Sequence, residues 1–322
     1  MAIEYFNDRV QVSHNLNNEE CTEVNEYLLE NTDKRLRLLW FEDVNELSFI
    51  SKLTNVKDIN LEYSNLENID FLSELTDLET LDISEMQGNL DVSAIRHLKK
   101  LKILNLTLTK ATRQTDLSIL DDNVDLKEFY FAGKFKKNSL NLNVLKNIEI
   151  LAPQLNSINF SEFGELEKLK EIRLFNQKIT SLNGIEKLTS VEGIMLSSVR
   201  MENQDLLSPI FELPKLKILN MSYIKFIQDF TFIKQNHNLE ILLLWTLNGL
   251  QNYNGIEKLL KLKKLSHCGE HSTPNSIDFE NIRNLKNLKE LEIKIGKTNK
   301  ETANKINELI KSVANNVSYE KP

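Results

Sequence analysis

The chain has 322 residues, 41% of them hydrophobic and 27% charged, with a formal net charge of −7. Its two cysteines, Cys21 and Cys268, exclude a disulfide framework, and no apolar run approaches the roughly 20 residues that span a bilayer. With only 9 Gly and 5 Pro there is no linker at which to cut the chain, so one continuous unit is expected.

The opening MAIEYFNDRV has no charged stretch leading into an apolar one, so a reducing cytoplasm is the expected compartment. Residues Asn18 to Asn31 set Cys21, Val24 and Leu28 at helical spacing behind an Asn N-cap, which predicts a helix within an N-terminal cap over residues 1–35. Charge is uneven: Met1 to Leu90 carry 20 acidic and 6 basic residues, the rest 27 and 34. An acidic first part disfavours a phosphate backbone as ligand there and suits a basic partner, although a solvated surface carries such charge as well.

From Leu36 onward the pattern LxxLxL, with L any apolar residue, recurs in twelve frames. They start at Leu36, Val56, Leu78, Leu101, Leu126, Ile148, Leu169, Val191, Leu216, Leu239, Leu262 and Leu288, with spacings of 20 to 26. Whole units read VKDINLEYSNLENIDFLSELTDL and LKEIRLFNQKITSLNGIEKLTSV, and GIEKL occurs at both Gly184 to Leu188 and Gly255 to Leu259. In a short strand with this pattern the three apolar positions point inward and the residues between them outward. No such unit buries its apolar face alone, so each needs a neighbour.

Through these motifs the chain resembles the leucine-rich-repeat family, specifically the short 22-residue class found in bacterial internalins and in regulatory subunits of eukaryotic phosphatases, over about Leu36 to Ile295. The resemblance implies an α/β solenoid: a curved parallel β-sheet on the concave face, 3-10, α and loop segments on the convex side, and helical caps. Residues 36–295 then form about 12 repeats and residues 296–322 a C-terminal capping helix and tail. That helix is expected to bury Ala303, Ile306, Ile310, Val313 and Val317.

Three departures stand out. The Asn that family members carry three residues past the last L survives only at Asn156, which predicts less regular turns. Pro153 replaces an inward apolar residue and predicts a break or bulge. The last inward position of the Leu262 frame is His267, opening the run His267-Cys268-Gly269-Glu270-His271. That run lacks both the HExxH pattern and a second ligand pair, so it reads as an irregular turn with His267 partly buried, and no metal site is assigned.

No Walker loop, GxGxxG, GxSxG or CxxC occurs, and no paired carboxylates stand apart from a solvated surface. The chain is therefore not expected to be an enzyme, and no cofactor or catalytic residue is assigned. The sequons at Asn105, Asn159, Asn220 and Asn316 are read as chance products of an Asn-rich chain.

In the fold that the resemblance implies, function usually lies in the outward strand residues. Read as columns, they contain both tryptophans, Trp40 and Trp245, together with Tyr63, Tyr130, Phe175 and Tyr223. Exposed aromatics are the residues that anchor interfaces. Glu42, Asp43, Asp58, Glu62, Asp82 and Glu85 are expected to stand outward beside Trp40 and Tyr63 with no basic residue in their columns, forming a negative trough. A second, apolar group contains Ile218, Ile241, Leu243, Trp245 and Tyr223 and is either a further contact region or covered by the chain's own loops. The expected function is a protein-binding module, monomeric when free, of immunity or inhibitor type, occluding a basic partner protein; neither nucleic acid nor membrane is expected as a ligand. An internalin-style secreted effector or adhesin and a scaffold or phosphatase-regulator subunit are the alternatives.

Overall fold

The structure is a computed structural model that describes residues 3–136, 139–141, 144–154, 160–163, 166–233 and 238–313. Where one continuous unit was expected, the chain divides into two compact units, Met1–Leu155 and Asn156–Pro322. Repeats contact only their neighbours, so such a chain can divide at a weak repeat without a linker. Here the division falls inside the repeat that contains Pro153, just after its strand.

The first unit opens with β1 (Glu4–Tyr5), antiparallel to β2 (Arg9–Val12). From β2 a parallel series runs through β3 (Arg35–Leu39), β4 (Asp58–Glu62), β5 (Thr80–Ser84), β6 (Ile103–Leu108), β7 (Glu128–Gly133) and β8 (Ile150–Gln154). The series thus starts inside the segment expected to be only a cap. Helix α1 (Asn18–Glu30) connects β2 to β3; Asn17 caps it, receiving the Glu20 N–H while Glu20 returns a bond to the Asn17 N–H, and Cys21, Val24 and Leu28 are its buried stripe. Later crossovers are shorter and use 3-10 turns at Val44–Lys52, Asp70–Leu72, Ser93–His97 and Leu117–Leu120. A repeat of this length leaves too few residues for a full helix. Pairs such as Ile59 and Leu61, Leu81 and Ile83, and Leu104 and Leu106 are fully buried, as the alternation requires.

Two expectations for this unit are corrected. Pro153 is buried in register with Phe131, so β7 and β8 pair without the expected break. Alternate residues of a parallel strand send their N–H groups to opposite neighbours, and one proline removes a donor on one side only. The first frame is also displaced by three residues. Leu36 and Leu38, not Leu39 and Phe41, match Ile59 and Leu61, which places Arg37 opposite Asn60 and Leu39 opposite Glu62.

The second unit contains β9 (Glu171–Phe175), β10 (Gly193–Ser197), β11 (Ile218–Ser222), β12 (Ile241–Trp245), β13 (Lys264–Gly269) and β14 (Glu290–Ile295), each parallel to and in register with the next. Its end is covered by α2 (Lys300–Val313), packed on β14. The helix buries Thr302, Ile306 and Leu309, a stripe rotated slightly from the expected one, with Ala303, Ile310 and Val313 half-buried; Val317 lies outside the described residues. Among the described residues, no helix is long and apolar enough to cross a membrane.

Seven of the corners that follow the strands are regular, more than expected, whereas those at Leu108, Gly133 and Gly269 depart from the pattern. Trp40, Tyr63, Glu85, Asn176, Ser198, Tyr223 and Thr246 all hold φ between 48° and 60° at the equivalent position; Asn156 lies outside the described residues. The amide that the missing Asn would supply is replaced in two ways. The corner N–H donates across to the next strand, as in Trp40 N to Glu62 O at 3.3 Å, Ser198 N to Ser222 O at 2.9 Å and Tyr223 N to Trp245 O at 2.8 Å. Just behind it Phe41, Met86, Val199, Ile224 and Leu247 are buried, and Ser64 Oγ accepts the Phe41 N–H at 3.0 Å.

Candidate functional site

The side of each strand that faces away from the core presents three outward positions, and the corner residue adds a fourth. In the first unit these columns hold basic residues as well as acids, because the three-residue displacement brings Arg35 and Arg37 into them. Arg35 Nη2 donates to Asp58 Oδ2 at 3.2 Å, and Arg37 Nη2 donates to Glu62 Oε2 at 2.6 Å. Asp82 Oδ1 accepts from Asn105 Nδ2 at 3.0 Å, and Lys110 Nζ lies 3.4 Å from a Glu85 carboxylate oxygen. The bare negative trough expected on the strands is therefore a laced network of both signs. Burial pushes the Asp58 and Asp82 carboxyls above their ordinary range, against the pull of the nearby Arg35 guanidinium.

Glu42 and Asp43 do not stand on a strand. They follow Trp40 into the first 3-10 turn, where Asp43 serves as N-cap and accepts the Asn45 N–H at 2.8 Å. Both are exposed, as is Glu46, and none of the three makes an ion pair among the described residues. The uncompensated negative charge of this region thus sits beyond the strand ends, at the corner. Trp40 and Tyr63 project there, 62% and 46% exposed. Since Leu39 pairs with Glu62, their backbones stand about 5 Å apart, one strand spacing.

The backbone at this corner is informative. A bulky L-residue with φ near +55° carries about 1 kcal/mol of strain, which Gly or Asn largely avoids. Trp40, Tyr63 and Tyr223 accept this conformation while remaining exposed, so core packing does not account for them. The substitution Tyr63→Asn is expected to leave the melting temperature unchanged or slightly raised. A drop of more than about 1 kcal/mol in a urea titration would instead make Tyr63 a packing residue.

The remaining candidates are spread over both units. Tyr130 is half-buried on β7 and its hydroxyl donates to Glu128 Oε2 at 2.9 Å, so it is a poorer anchor than the corner aromatics. In the second unit Phe175 is half-buried at the end of β9, whereas Trp245 on β12 and Tyr223 at the corner after β11 are 48% and 55% exposed. Arg35, Arg37 and Glu46 were missed by the sequence reading. The signal for the first two was the first repeat spacing of 20, the shortest in the chain; the paired strands give 23 between Leu36 and Ile59.

The histidine run is more ordered than a loose turn. His267 is fully buried at an inward position of β13, its Nδ1 is hydrogen-bonded to the Tyr253 hydroxyl, and its Nε2 lies 3.0 Å from His271 Nε2. Burial lowers the His267 pKa to about 3 and lowers that of His271 as well. Cys268 points to the opposite face of the strand, with its Sγ 3.4 Å from Ser266 Oγ, and burial raises its thiol pKa. Among the described residues, no group of three or more His, Cys, Asp and Glu side chains is placed to hold a metal ion.

No protein-family model matches the chain, and no curated protein matches it in sequence. Solved structures do match in shape. An internalin of Listeria monocytogenes (InlF) aligns over 98% of this chain and 87% of its own, at 19% identity and a TM-score of 0.56. Internalin C2 of the same bacterium aligns over 56% of this chain and 76% of its own at 23% identity and a TM-score of 0.43. A leucine-rich-repeat protein of Leptospira interrogans aligns over 89% and 76%, at 19% identity and a TM-score of 0.39. The fold is that of the leucine-rich-repeat proteins, as the repeat pattern implied.

Proposed function

From this leucine-rich-repeat fold as premise, we propose that the chain is a protein-binding module that grips a basic partner protein at the corner and strand face of its first unit. The observation that carries the reading is the Trp40–Tyr63 pair. Two exposed aromatics stand in a strained backbone conformation beside Glu42, Asp43 and Glu46, carboxylates with no ion pair among the described residues. A Lys or Arg of the partner laid over the indole would meet both the ring face and carboxylates whose charge has no ion pair among the described residues. The strand network of Arg35, Asp58, Arg37 and Glu62 then serves as a polar rim that fixes orientation, since its charges are already matched.

Within this reading the chain acts by occlusion, as an immunity or inhibitor protein in a bacterial cytoplasm, and is a monomer when free. The support is the charge character of the acidic first part, which suits a basic target and disfavours nucleic acid there. Affinity capture from the native cell tests it, comparing wild type with a Trp40→Ala, Tyr63→Ala, Glu42→Lys variant. The partner is expected to be lost or weakened at least tenfold by the variant at an unchanged melting temperature, and wild-type binding is expected to weaken steeply with salt. Equal recovery of the same partner by both proteins would remove this corner as the site.

A further inference from the structure

The second unit carries a face of opposite chemistry. On β10, β11 and β12 the outward and corner positions number twelve, and none is charged. In a chain with 27% charged residues, twelve surface positions would carry about three charges. Half of the twelve are Gly, Ser, Thr or Asn; the other half are Met195, Ile218, Tyr223, Ile241, Leu243 and Trp245. The register joins these six into one patch. Ile218 lies beside Ile241, Leu243 is in register with Asn220 and, through it, Met195, and Tyr223 donates its N–H to the Trp245 carbonyl at 2.8 Å.

Charges resume only at the flanking strands, where they are matched among themselves. Glu171 pairs with Arg173 at 2.8 Å on β9, Lys264 with Glu290 at 2.8 Å, and Lys294 with Glu292 at 2.8 Å. The patch is open: Ile218, Trp245 and Tyr223 are between 41% and 55% exposed. Two details mark it as prepared for contact. Tyr223 keeps its side chain at a φ of 55° where burial gives nothing in return. Beside it, the Trp245 indole lies along Gly269, so close that a Cβ there would stand 3.2 Å from Nε1, and the absence of a side chain at Gly269 leaves room for the ring.

We infer that this face is a second docking surface, and that its occupant is an uncharged segment of another protein anchored by an aliphatic or aromatic side chain. The inference rests on the reading of the chain as a protein-binding module but not on the first-unit corner. The occupant's character follows from charge matching. A Lys, Arg, Asp or Glu brought onto these three strands would lose water and find no counter-charge, whereas an apolar side chain finds Ile218, Leu243 and the Trp245 ring. The half-buried Asn220 amide in the middle of the patch can bond a peptide group of the segment.

The test uses random dodecapeptides displayed on phage, selected on the wild-type protein and sorted by their response to Trp245→Ser, Tyr223→Ser and Trp40→Ser. Peptides that lose at least tenfold in affinity on Trp245→Ser or Tyr223→Ser are expected to have aliphatic or aromatic anchors without charge, and to be indifferent to Trp40→Ser. Basic or acidic anchors among them would overturn the inference. So would a selection that yields peptides dependent on Trp40 but none dependent on Trp245. Sedimentation of the peptide-free protein supplies the last outcome: a dimer abolished by Trp245→Ser would make a second copy the occupant and sink the proposal. Peptides dependent on Trp245 without any dependent on Trp40 would leave this inference standing and remove the first-unit reading alone. All three side chains are exposed, so the melting temperature serves as the folding control.

Discussion

Acidification from pH 6.5 to pH 5 is expected to cost the folded protein about 2 kcal/mol through His267 alone. Its pKa is about 3 in the fold, against an ordinary 6.5, because the ring is fully buried between Tyr253 and His271. Between those two values the unfolded chain holds a proton that the folded chain does not, so the stability is complete above pH 6.5 and falls as the pH drops towards 3. His271, lowered by the same burial, adds to the slope. The window above pH 5 is the useful one, since ordinary carboxylates stay ionised there in both states. Urea titrations at pH 7, 6 and 5 check the slope. The paired substitution His267→Leu with Tyr253→Phe removes both partners of the buried hydrogen bond and should flatten the profile. An equally steep profile in that double variant would mean that other groups carry the acid sensitivity.

The substitution Gly255→Ala is expected to destabilise by about 3 kcal/mol or more, lowering the melting temperature by about 10 °C. Gly255 holds φ at 93°, and a Cβ there would stand 2.2 Å from the Phe230 carbonyl oxygen and 2.8 Å from the Thr231 nitrogen, both backbone atoms that cannot swing aside. Gly184, the first residue of the other GIEKL, is held in the same way at φ 90°, with its Cβ site 2.3 Å from the Ser161 nitrogen. The rest of the motif serves the same corner. Glu257 accepts the Gly255 N–H at 2.8 Å, Glu186 accepts that of Gly184 at 3.0 Å, and Ile185 and Ile256 are fully buried. Lys258 Nζ donates to the Ile233 carbonyl at 2.6 Å. The neighbouring Glu257→Ala, which removes one hydrogen bond and creates no clash, should cost about 1 kcal/mol. Equal losses from the two variants would count against steric exclusion as the cause.

The repeat register was readable wherever one apolar pattern fitted and no other did. Eleven of the twelve frames place the inward residues that the paired strands show, from Ile59 and Leu61 in β4 to Leu291 and Ile293 in β14. The first frame failed because RLRLLWF admits two alignments, and the better apolar match begins three residues too late. Its true first position is Asp33, a polar residue at the edge of the motif. That slip of three residues turned Arg35 and Arg37 from outward to unseen, and with them half of the charge balance around Asp58 and Glu62. The corner conformation was not readable at all. Its left-handed residues are Trp, Tyr, Glu, Ser and Thr as well as Asn, and at five of the seven the conformation is held by a bond to the adjacent strand, which no local pattern records. The division at Leu155 was equally invisible, since solenoid units separate without a change of composition.

The left-handed corners have a consequence for how such a protein diversifies. At all seven the residue one step further on is buried, and at five of them, Trp40, Asn176, Ser198, Tyr223 and Thr246, a main-chain bond to the neighbouring strand holds the backbone, while the corner side chain itself is exposed or half-exposed. Conformation and side-chain identity are therefore decoupled. A corner can exchange Tyr for Ser, or Trp for Glu, as its counterparts along this chain already do, without renegotiating the core. Such positions form a string of independently editable letters on an invariant frame, and a library varied only at Trp40, Tyr63, Glu85, Asn176, Ser198, Tyr223 and Thr246 would alter ligand choice while leaving the folding problem as it stands.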